Sequence, residues 1–469
     1  MASTNRRVRA SYTTNDAGTV VPTIAVDKQL RRLVLASMLF EDAAYIDGVS
    51  HAEAVKAAVA KADPKAVANL AIEARTKYML RHIPLFLMRE LARIGKLKAA
   101  DLFAVIQRPD EIGEFISLYW KDKKQPLSNQ VKKGIAMAFT DGPFSEYTFA
   151  KWDKNSAAVS LRDALFLCHP KPKTSEQEVL FKKIANKELK TPDTWEVALS
   201  GGADKRATFE RLMAENKLGA LAFLRNLRNM RKSGITIEAL ASYGAKLDVS
   251  KVLPFRFVAA AKACHELRMR MLMQAMMLKS VQSQEKLPGR TVLIIDTSGS
   301  MSAAISYKSD MTRIQAAGAM AAIAKELCED VVIYATAGND GSRKHATVLI
   351  SDETVGRSLR GMDLVDYLGS FELARKIGGG GIFFTQVMQF VAEAERGSSV
   401  DRVIVFTDEQ DTSRNGRAYN PATAKRLAPA GRNYIINVGS NTNGINSAEW
   451  ETITGFSEAV FDYIKAVEE

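Results

Sequence analysis

An aspartate and several hydroxyls follow a run of branched apolar residues in the stretch TVLIIDTSGSMS, residues 291–302. TVLIID is typical of a buried strand, so Asp296, Ser298 and Ser300 are expected in the turn at its carboxyl end. The segment RVIVFTD repeats this arrangement and places Asp408 at the end of a second strand. Carboxylates and hydroxyls without neighbouring Cys or His suit a hard divalent cation, so we predict that the two loops share Mg²⁺ or Mn²⁺.

Two other interpretations fit the same residues. In one, Asp296 and the hydroxyls only cap the helix that follows. In the other, Asp296 and Asp408 hold the metal of a nucleic-acid hydrolase, but no general base lies beside them in the sequence. TSGSM is not the GxSxG turn of a serine hydrolase, and GGGG at residues 378–381 lacks the GK[ST] of a phosphate-binding loop. We therefore expect a protein that is not an enzyme.

The charge of the chain is divided unevenly. Residues 1–289 carry 47 Lys and Arg against 30 Asp and Glu, whereas residues 290–469 carry 18 against 23, within a total net charge of +12. A surplus of cations favours a polyanionic partner, because binding releases the counterions condensed on its phosphates. We therefore expect a nucleic acid to bind the first part, and general basic solubility is the alternative.

Cysteine spacing and hydropathy indicate where the protein works. Cys168, Cys264 and Cys328 lie far apart without CxxC spacing, which argues against a disulfide framework or a structural zinc site. No apolar run approaches the roughly 18 residues that a membrane span needs, and the first residues lack the apolar core of a signal peptide. These patterns predict a cytoplasmic protein that does not contact a membrane.

Two kinds of secondary structure follow one another along the chain. From Asp27 to about Gln284, apolar residues recur at three- and four-residue spacing with short breaks, which predicts a degenerate repeat of stacked helix pairs. After a Pro-Gly pair, short apolar runs alternate with helical segments, which predicts a mainly parallel sheet with helices on both faces. The expected domains are an α part, residues 1–286, and a doubly wound α/β part, residues 287–469.

The stretch DTSGSMS is similar to the DxSxS motif of von Willebrand factor A domains. Their metal-ion-dependent adhesion site takes that Asp, the two Ser, and a Thr and an Asp from other loops, so the resemblance assigns the last position to Asp408. The family has its Thr directly after paired glycines, where this chain has Ile382, and Thr385 follows three residues later. Either Thr385 reaches the ion from a rearranged loop, or the site is incomplete. The alternative function is therefore a metal-dependent protein-binding module, in which a partner's carboxylate completes the shell of the ion.

A basic helical array before such a domain resembles the Ro autoantigen family of TROVE-domain proteins, which bind small noncoding Y RNAs and the ends of misfolded RNAs. The segments SLRDALFLCHPKP, TWE and ALAFLRNLRNM resemble parts of that family in the same order, as does LPFRF, in which Leu253 replaces a histidine. The resemblance implies a HEAT-like helical ring with a basic outer face for Y RNA and a central hole for single-stranded RNA ends. It further implies a scaffold for RNA quality control that works with an exoribonuclease and not with DNA.

Basic residues are concentrated between about residues 130 and 173 of the helical part. Lysines and arginines can contact phosphates, which fixes the register of an RNA without reading its sequence, and His169 can stack on an unpaired base. The alternatives are ordinary solvated lysines and a histidine that closes a helix. The RNA-binding residues that we predict are Lys132, Lys133, Lys151, Lys154, Arg162, His169, Lys171 and Lys173.

Overall fold

The structure is a computed structural model, and it describes only part of the chain. The described residues are 12–14, 20–22, 26–35, 48–153, 157–250, 252, 254–264, 266–282, 284–305, 309–342, 344–411, 432–439, 445, 450–454 and 459–468. The chain divides into two compact units, one formed by residues 52–217 and the other by residues 1–51 and 218–469.

The unit of residues 52–217 is built from helices. Most of these helices pack against the next one or the next but one, as α5 packs against α3 and α7, which is typical of stacked helix pairs. Its helices are α2 (Gly48–Val59, which begins in the other unit), α3 (Pro64–Thr76), α4 (His82–Arg93), α5 (Ala99–Val105), α6 (Asp110–Trp120), α7 (Asn129–Asp141), α8 (Glu146–Trp152), α9 (Leu161–Cys168), α10 (Ser175–Asn186), α11 (Trp195–Ser200) and α12 (Lys205–Ala214).

Short polar side chains fix where these helices begin. Five consecutive helices, α7 to α11, start after a Ser or Thr whose hydroxyl accepts a hydrogen bond from a backbone N–H of the first turn. At Ser160 this becomes a capping box, because Asp163 also accepts from the Ser160 backbone. The apolar faces then turn inward, so that Val131, Ile135 and Phe139 of α7 are buried while the lysines between them stay exposed.

The second unit combines helices with a sheet. Its helices are α1 (Val26–Leu35), α13 (Ala220–Lys232), α14 (Ile237–Lys246), α15 (Pro254–Ala263), α16 (Leu267–Lys279), α17 (Arg313–Leu327), α18 (Asp352–Val355), α19 (Met362–Leu368), α20 (Phe371–Ile377), α21 (Phe384–Ala394) and α22 (Ala459–Glu468). Its strands are β1 (Tyr12–Thr14), β2 (Val20–Pro22), β3 (Leu287–Asp296), β4 (Cys328–Asn339), β5 (Lys344–Ile350), β6 (Arg402–Thr407), β7 (Asn433–Asn437) and β8 (Glu451–Thr454). Strands β1 and β2 form a separate antiparallel pair.

In the described part of the chain, six strands form one sheet in the order β5-β4-β3-β6-β7-β8. All neighbours in it are parallel except β4 and β5. The order reverses at β3, because the chain passes from β3 to β4 on one side and returns to β6 on the other. The carboxyl ends of β3 and β6 therefore flank the topological switch point, where such sheets bind ligands. The predicted α plus α/β fold is confirmed.

Packing and secondary structure place different boundaries in the chain. The change from helix to strand falls between α16 and β3, close to the expected position at residues 286 and 287. Helices α13 to α16, however, belong to the same compact unit as the sheet. Lys262 of α15 donates to the Asp310 carbonyl, and Arg270 of α16 forms an ion pair with Asp366. Apolar periodicity reveals that these helices exist but not which surface they cover.

Cys168, Cys264 and Cys328 are buried free thiols. Burial raises the pKa of the Cys168 thiol to about 12, against a smaller opposing effect of Lys132. Of the helices that the structure describes, none is both long and apolar enough to cross a membrane.

Candidate functional site

The carboxyl ends of β3 and β6 bring two aspartates together. Asp296 is the last residue of β3, and Asp408 directly follows Thr407, the last residue of β6. The two strands are paired in register from Thr291 to Ile295, so their ends lie at the same level of the sheet. Both aspartates are fully buried, although each lies at a strand end, where an exposed loop would be expected.

Hydrogen bonds fix the loop that follows β3, which we call the first loop; the loop that follows β6 is the second loop. The two carboxylate oxygens of Asp296 accept from the Ser298 backbone N–H at 2.8 Å and from the Thr407 hydroxyl at 2.6 Å. The hydroxyls of Ser298 and Ser300 lie 3.2 Å apart and bond to each other. Burial and the neighbouring Asp408 carboxylate both raise the pKa of Asp296. The oxygens that the sequence marks as ligands thus already have partners within the protein.

Asp296 does not cap the following α-helix, which was one of the sequence alternatives. Helix α17 is capped by Thr312 and Gln315, whose side chains accept from each other's backbone N–H groups. Between Asp296 and α17 lies a short 3₁₀ helix, Gly299–Ser302, whose first turn has no side-chain cap. The role of Asp296 is therefore to join the first loop to β6.

Thr385, the fifth predicted ligand, does not join the hydrogen-bonded group of Asp296, Ser298 and Ser300 in the described residues. Thr385 lies in the first turn of α21 and is half-buried, and within the described residues it makes no hydrogen bond to the aspartates or serines of the two loops. Ile382, which stands where the resembled family has its Thr, is fully buried in the apolar core against the sheet. The glycine-rich loop packs closely on the first loop, because the Gly299 N–H donates to the Gly380 carbonyl at 3.2 Å.

A buried arginine, which the sequence reasoning did not identify, lies at the same place. The Arg313 side chain is only 1% exposed, and its Nη1 donates to Oδ2 of Asp408 at 2.8 Å. The same nitrogen lies 3.4 Å from the Ser300 carbonyl oxygen. The available signal was one basic residue at the start of an otherwise apolar helix, TRIQAAGAMAAIA.

These contacts allow a test of whether a divalent cation fits. Asp296, Ser298, Ser300 and Asp408 are assembled as predicted, but the fifth position is apolar and the Asp408 carboxylate carries a guanidinium. Among the residues that the structure describes, no group of three or more His, Cys, Asp or Glu is arranged to hold a metal ion. The donor set therefore does not fit the five-ligand site of the resembled family, and Mg²⁺ or Mn²⁺ here stays a prediction.

The second candidate site is a basic surface on the unit of residues 52–217. Lys132 and Lys133 of α7, Lys151 of α8 and Lys171 after α9 are all exposed. In the described part of this unit, none of the four forms an ion pair with a carboxylate. Helix α9 packs against α6, α7 and α10, and Lys132 of α7 influences the pKa of Cys168, the last residue of α9. We call these four lysines the basic surface.

The other predicted cations differ in their surroundings. Lys173 forms an ion pair with Asp141, and the Nε of Arg162 donates to the Ala185 carbonyl at 2.7 Å. Lys154 lies outside the described residues. Both partnered side chains remain exposed, but their charges are less available to a ligand than those of the basic surface.

The exposed face of α9 carries an aromatic ring that the sequence reasoning missed. Phe166 is 51% exposed, and the Arg162 guanidinium lies 5.1 Å from its ring centroid. His169 closes the helix in a left-handed conformation, with φ of 49°, and its ring is exposed. The alternative interpretation, that His169 closes a helix, therefore holds, and the exposed ring lies three residues after Phe166 in the sequence.

A further group of cations lies on α13 in the other unit. Arg225, Arg228 and Lys232 are exposed, and no carboxylate partner is found for them within the described ranges. Their spacing in LRNLRNMRK puts them along one side of the helix. This spacing is visible in the sequence, within the segment that resembles the Ro family.

Comparisons with known proteins agree with this architecture. Residues 185–329 match the family model of the TROVE domain. The crystal structure of the Deinococcus radiodurans RO (RSR) protein is similar with a TM-score of 0.60 at 16% sequence identity, over 94% of this chain and 99% of that chain. No curated protein sequence matches the chain. The chain therefore contains a segment similar to the TROVE domain, and it has the fold of the Ro protein.

Proposed function

We propose that this chain is an RNA-binding scaffold. It holds a small structured noncoding RNA of the Y type and the unpaired ends of misfolded RNA, and it presents the latter to an exoribonuclease. The TROVE domain match and the Ro-like fold support this function, while the described residues supply the surface that would carry it. The basic surface itself lies before residues 185–329, so its role depends on its own charge and exposure.

The observation that carries the proposal is the availability of the four lysines of the basic surface. An exposed cation that is already paired with a carboxylate must lose that partner before it can neutralise a phosphate. Lys132, Lys133, Lys151 and Lys171 have no such partner among the described residues, whereas neighbouring lysines do. Each phosphate contact that they form releases a counterion, so affinity should fall steeply with salt.

The ring of Phe166 favours RNA with unpaired bases over a plain duplex. Aromatic and histidine side chains stack on bases that are splayed out of a helix, and this gives single-stranded RNA its main non-ionic contacts. Phe166 is exposed on α9 next to the Arg162 guanidinium, and His169 is exposed directly after the end of this helix. We therefore place an unpaired end or loop at α9 and the phosphates of the adjoining stem on the basic surface.

The proposal includes no catalytic step by this chain. Hydrolysis of RNA needs an activated nucleophile beside a bound metal. At the ends of β3 and β6 both oxygens of Asp296 accept hydrogen bonds from the protein, and Asp408 is paired with Arg313. A bound RNA should therefore keep its length for hours with Mg²⁺, as seen on denaturing gels.

The test compares two variants of the full chain that lose the same charge. The first replaces the four lysines of the basic surface by Ala, and the second replaces Lys173, Lys182, Lys183 and Lys217, which are all paired with carboxylates. Binding of a tailed hairpin RNA is measured over a range of salt concentrations. We expect the first variant to reduce the slope of log K against log salt by about 3, from roughly 0.7 to 0.9 per lost contact.

The matched variant should keep most of the slope, because its lysines serve carboxylates and not phosphates. Equal loss in the two variants would mean that only net charge matters, and an unchanged slope in the first would move the RNA site elsewhere. Shortening of the RNA that requires Mg²⁺ and disappears in Asp296→Ala would overturn the absence of catalysis.

A further inference from the structure

The ends of β3 and β6 concentrate buried negative charge. The buried Asp296 is the last residue of β3. Three of the four residues that follow β6 are also buried acids, namely Asp408, Glu409 and Asp411. Neighbouring carboxylates out of contact with water disfavour their charged forms unless a cation lies beside them. In the von Willebrand fold that cation would be divalent, so the question is what supplies the charge in this chain.

Arg313 contacts both loops that a metal ion would join. Its Nη1 is 2.8 Å from the Asp408 carboxylate of the second loop and 3.4 Å from the Ser300 carbonyl of the first. The side chain is 1% exposed, which excludes it from a role on the surface. A guanidinium is weakly hydrated and always charged, and it is therefore the cation best suited to a buried ion pair.

The position of Arg313 in α17 is unfavourable for the helix itself. It is the first residue after the Thr312 cap, where the helix dipole is positive and disfavours a cation. Its backbone N–H donates to the Ala303 carbonyl at 3.0 Å, which fixes the start of α17 against the end of the first loop. Helix stability thus gives no reason for an arginine here, whereas the Asp408 carboxylate does.

The residues around Arg313 are arranged as they would be without a metal ion. Ile382 gives no oxygen at the position of the family threonine and is buried in the core. Asp296 is satisfied by the Ser298 N–H and the Thr407 hydroxyl. With the guanidinium in place, the first and second loops are joined and no fifth oxygen ligand is required.

We propose that Arg313 replaces the divalent cation in this chain, so that its guanidinium, and not Mg²⁺ or Mn²⁺, holds the loops after β3 and β6 together. The site is then closed, because a buried arginine cannot offer an open coordination position to a partner's carboxylate. The guanidinium contacts the Asp408 carboxylate and the Ser300 carbonyl, and its removal would leave the neighbouring carboxylates of Asp408 and Asp296 buried without a cation. Removal of the arginine should therefore allow a metal ion to bind between them.

The test uses RNA-free full-length protein and Mn²⁺ as the probe, because its electron paramagnetic resonance signal counts bound ions directly. We expect the unsubstituted chain to bind no stoichiometric Mn²⁺, and its thermal midpoint to be the same with EDTA as with millimolar Mn²⁺. Arg313→Met keeps the volume but removes the charge, and it should bind one Mn²⁺ roughly tenfold or more tightly than the unsubstituted chain. Arg313→Lys keeps the charge and should continue to exclude the ion.

Three results would overturn the proposal. One is a single Mn²⁺ per unsubstituted chain that is lost in Asp296→Ala, which would establish the metal site predicted from the sequence. A second is a folded Arg313→Met variant that binds Mn²⁺ no better than the unsubstituted chain. The third is Mn²⁺ binding by Arg313→Lys equal to that of Arg313→Met. If Arg313→Met does not fold, the first result still overturns the proposal, and so does stoichiometric Mn²⁺ binding by Arg313→Lys.

Discussion

The charged groups of the basic surface are exposed, whereas those of Asp296, Asp408 and Arg313, which we call the strand-end cluster, are buried. On the unit of residues 52–217, the four lysines of the basic surface are exposed and have no carboxylate partner in the described residues. At the ends of β3 and β6, Asp296, Asp408 and Arg313 are buried and bonded to groups of the same unit. Charge that is left unsatisfied by the protein is available to a ligand, whereas charge that is satisfied internally stabilises the fold.

This difference bears on how motifs are interpreted. DTSGSMS is the most specific motif of the sequence, yet its side chains are bonded among themselves and to β6. The four lysines belong to no motif, and only their exposure and the absence of carboxylate partners in the described residues suggest them as a candidate binding surface. A motif can therefore predict a fold correctly, while the contacts of its side chains decide whether they are available to a ligand.

The largest effect on stability is expected when the buried ion pair between Arg313 and Asp408 is broken. Asp408→Ala leaves the Arg313 guanidinium buried without its carboxylate, and loss of one partner of a buried ion pair costs about 3–5 kcal/mol. We expect the free energy of unfolding, measured with urea, to fall by that amount, while RNA affinity of the folded protein is kept. The matched control is Asp330→Ala, which breaks the half-exposed pair with Arg290 and should change stability by less than about 0.5 kcal/mol. Equal effects of the two variants would contradict the internal role of the strand-end cluster.

A smaller effect, on binding alone, is expected at α9. Phe166→Ala removes an exposed ring, and stacking of a base on an aromatic side chain contributes about 1–3 kcal/mol. Affinity for a hairpin with a single-stranded tail should therefore fall several-fold or more, while affinity for a plain duplex is nearly unchanged. The control is Phe371→Ala, which removes a ring that is 78% exposed in the other unit. Gel shifts with both RNAs decide the matter, and an equal loss for tail and duplex would exclude stacking at Phe166.

Much of the fold could be predicted from the sequence, because it rests on local periodicity. TVLIID and RVIVFT each contain four consecutive apolar residues, as is typical of strands covered on both faces, and they lie in the adjacent strands β3 and β6. Three- and four-residue spacing likewise predicted the helices. The packing of α15 and α16 with the sheet could not be predicted, because contacts such as that of Lys262 with Asp310 join residues far apart in sequence.

The candidate sites were predictable only as far as residue type determines environment. Asp296, Ser298, Ser300 and Asp408 are assembled where their strands predicted. Arg313 was missed because a single arginine in an apolar helix does not reveal its partner, 95 residues away in sequence. For the same reason sequence could not separate Lys171 from Lys173, since only the fold brings Asp141 next to one of them.

The smallest expected effects come from these two lysines, and they test the comparison most finely. Lys171→Ala removes an unpartnered cation and should reduce the slope of log K against log salt by about 0.7 to 0.9. Lys173→Ala removes a cation that is paired with Asp141 and should change the slope less.

Lys173 also lowers the pKa of Asp141, so the carboxylate stays charged and keeps its partner at neutral pH. Asp141→Asn should therefore release Lys173 for phosphate and raise both RNA affinity and slope, which an effect of stability alone would not do. Tailed-hairpin binding by the three variants, measured side by side over the same salt range, contradicts the comparison if Lys171 and Lys173 behave alike and Asp141→Asn has no effect.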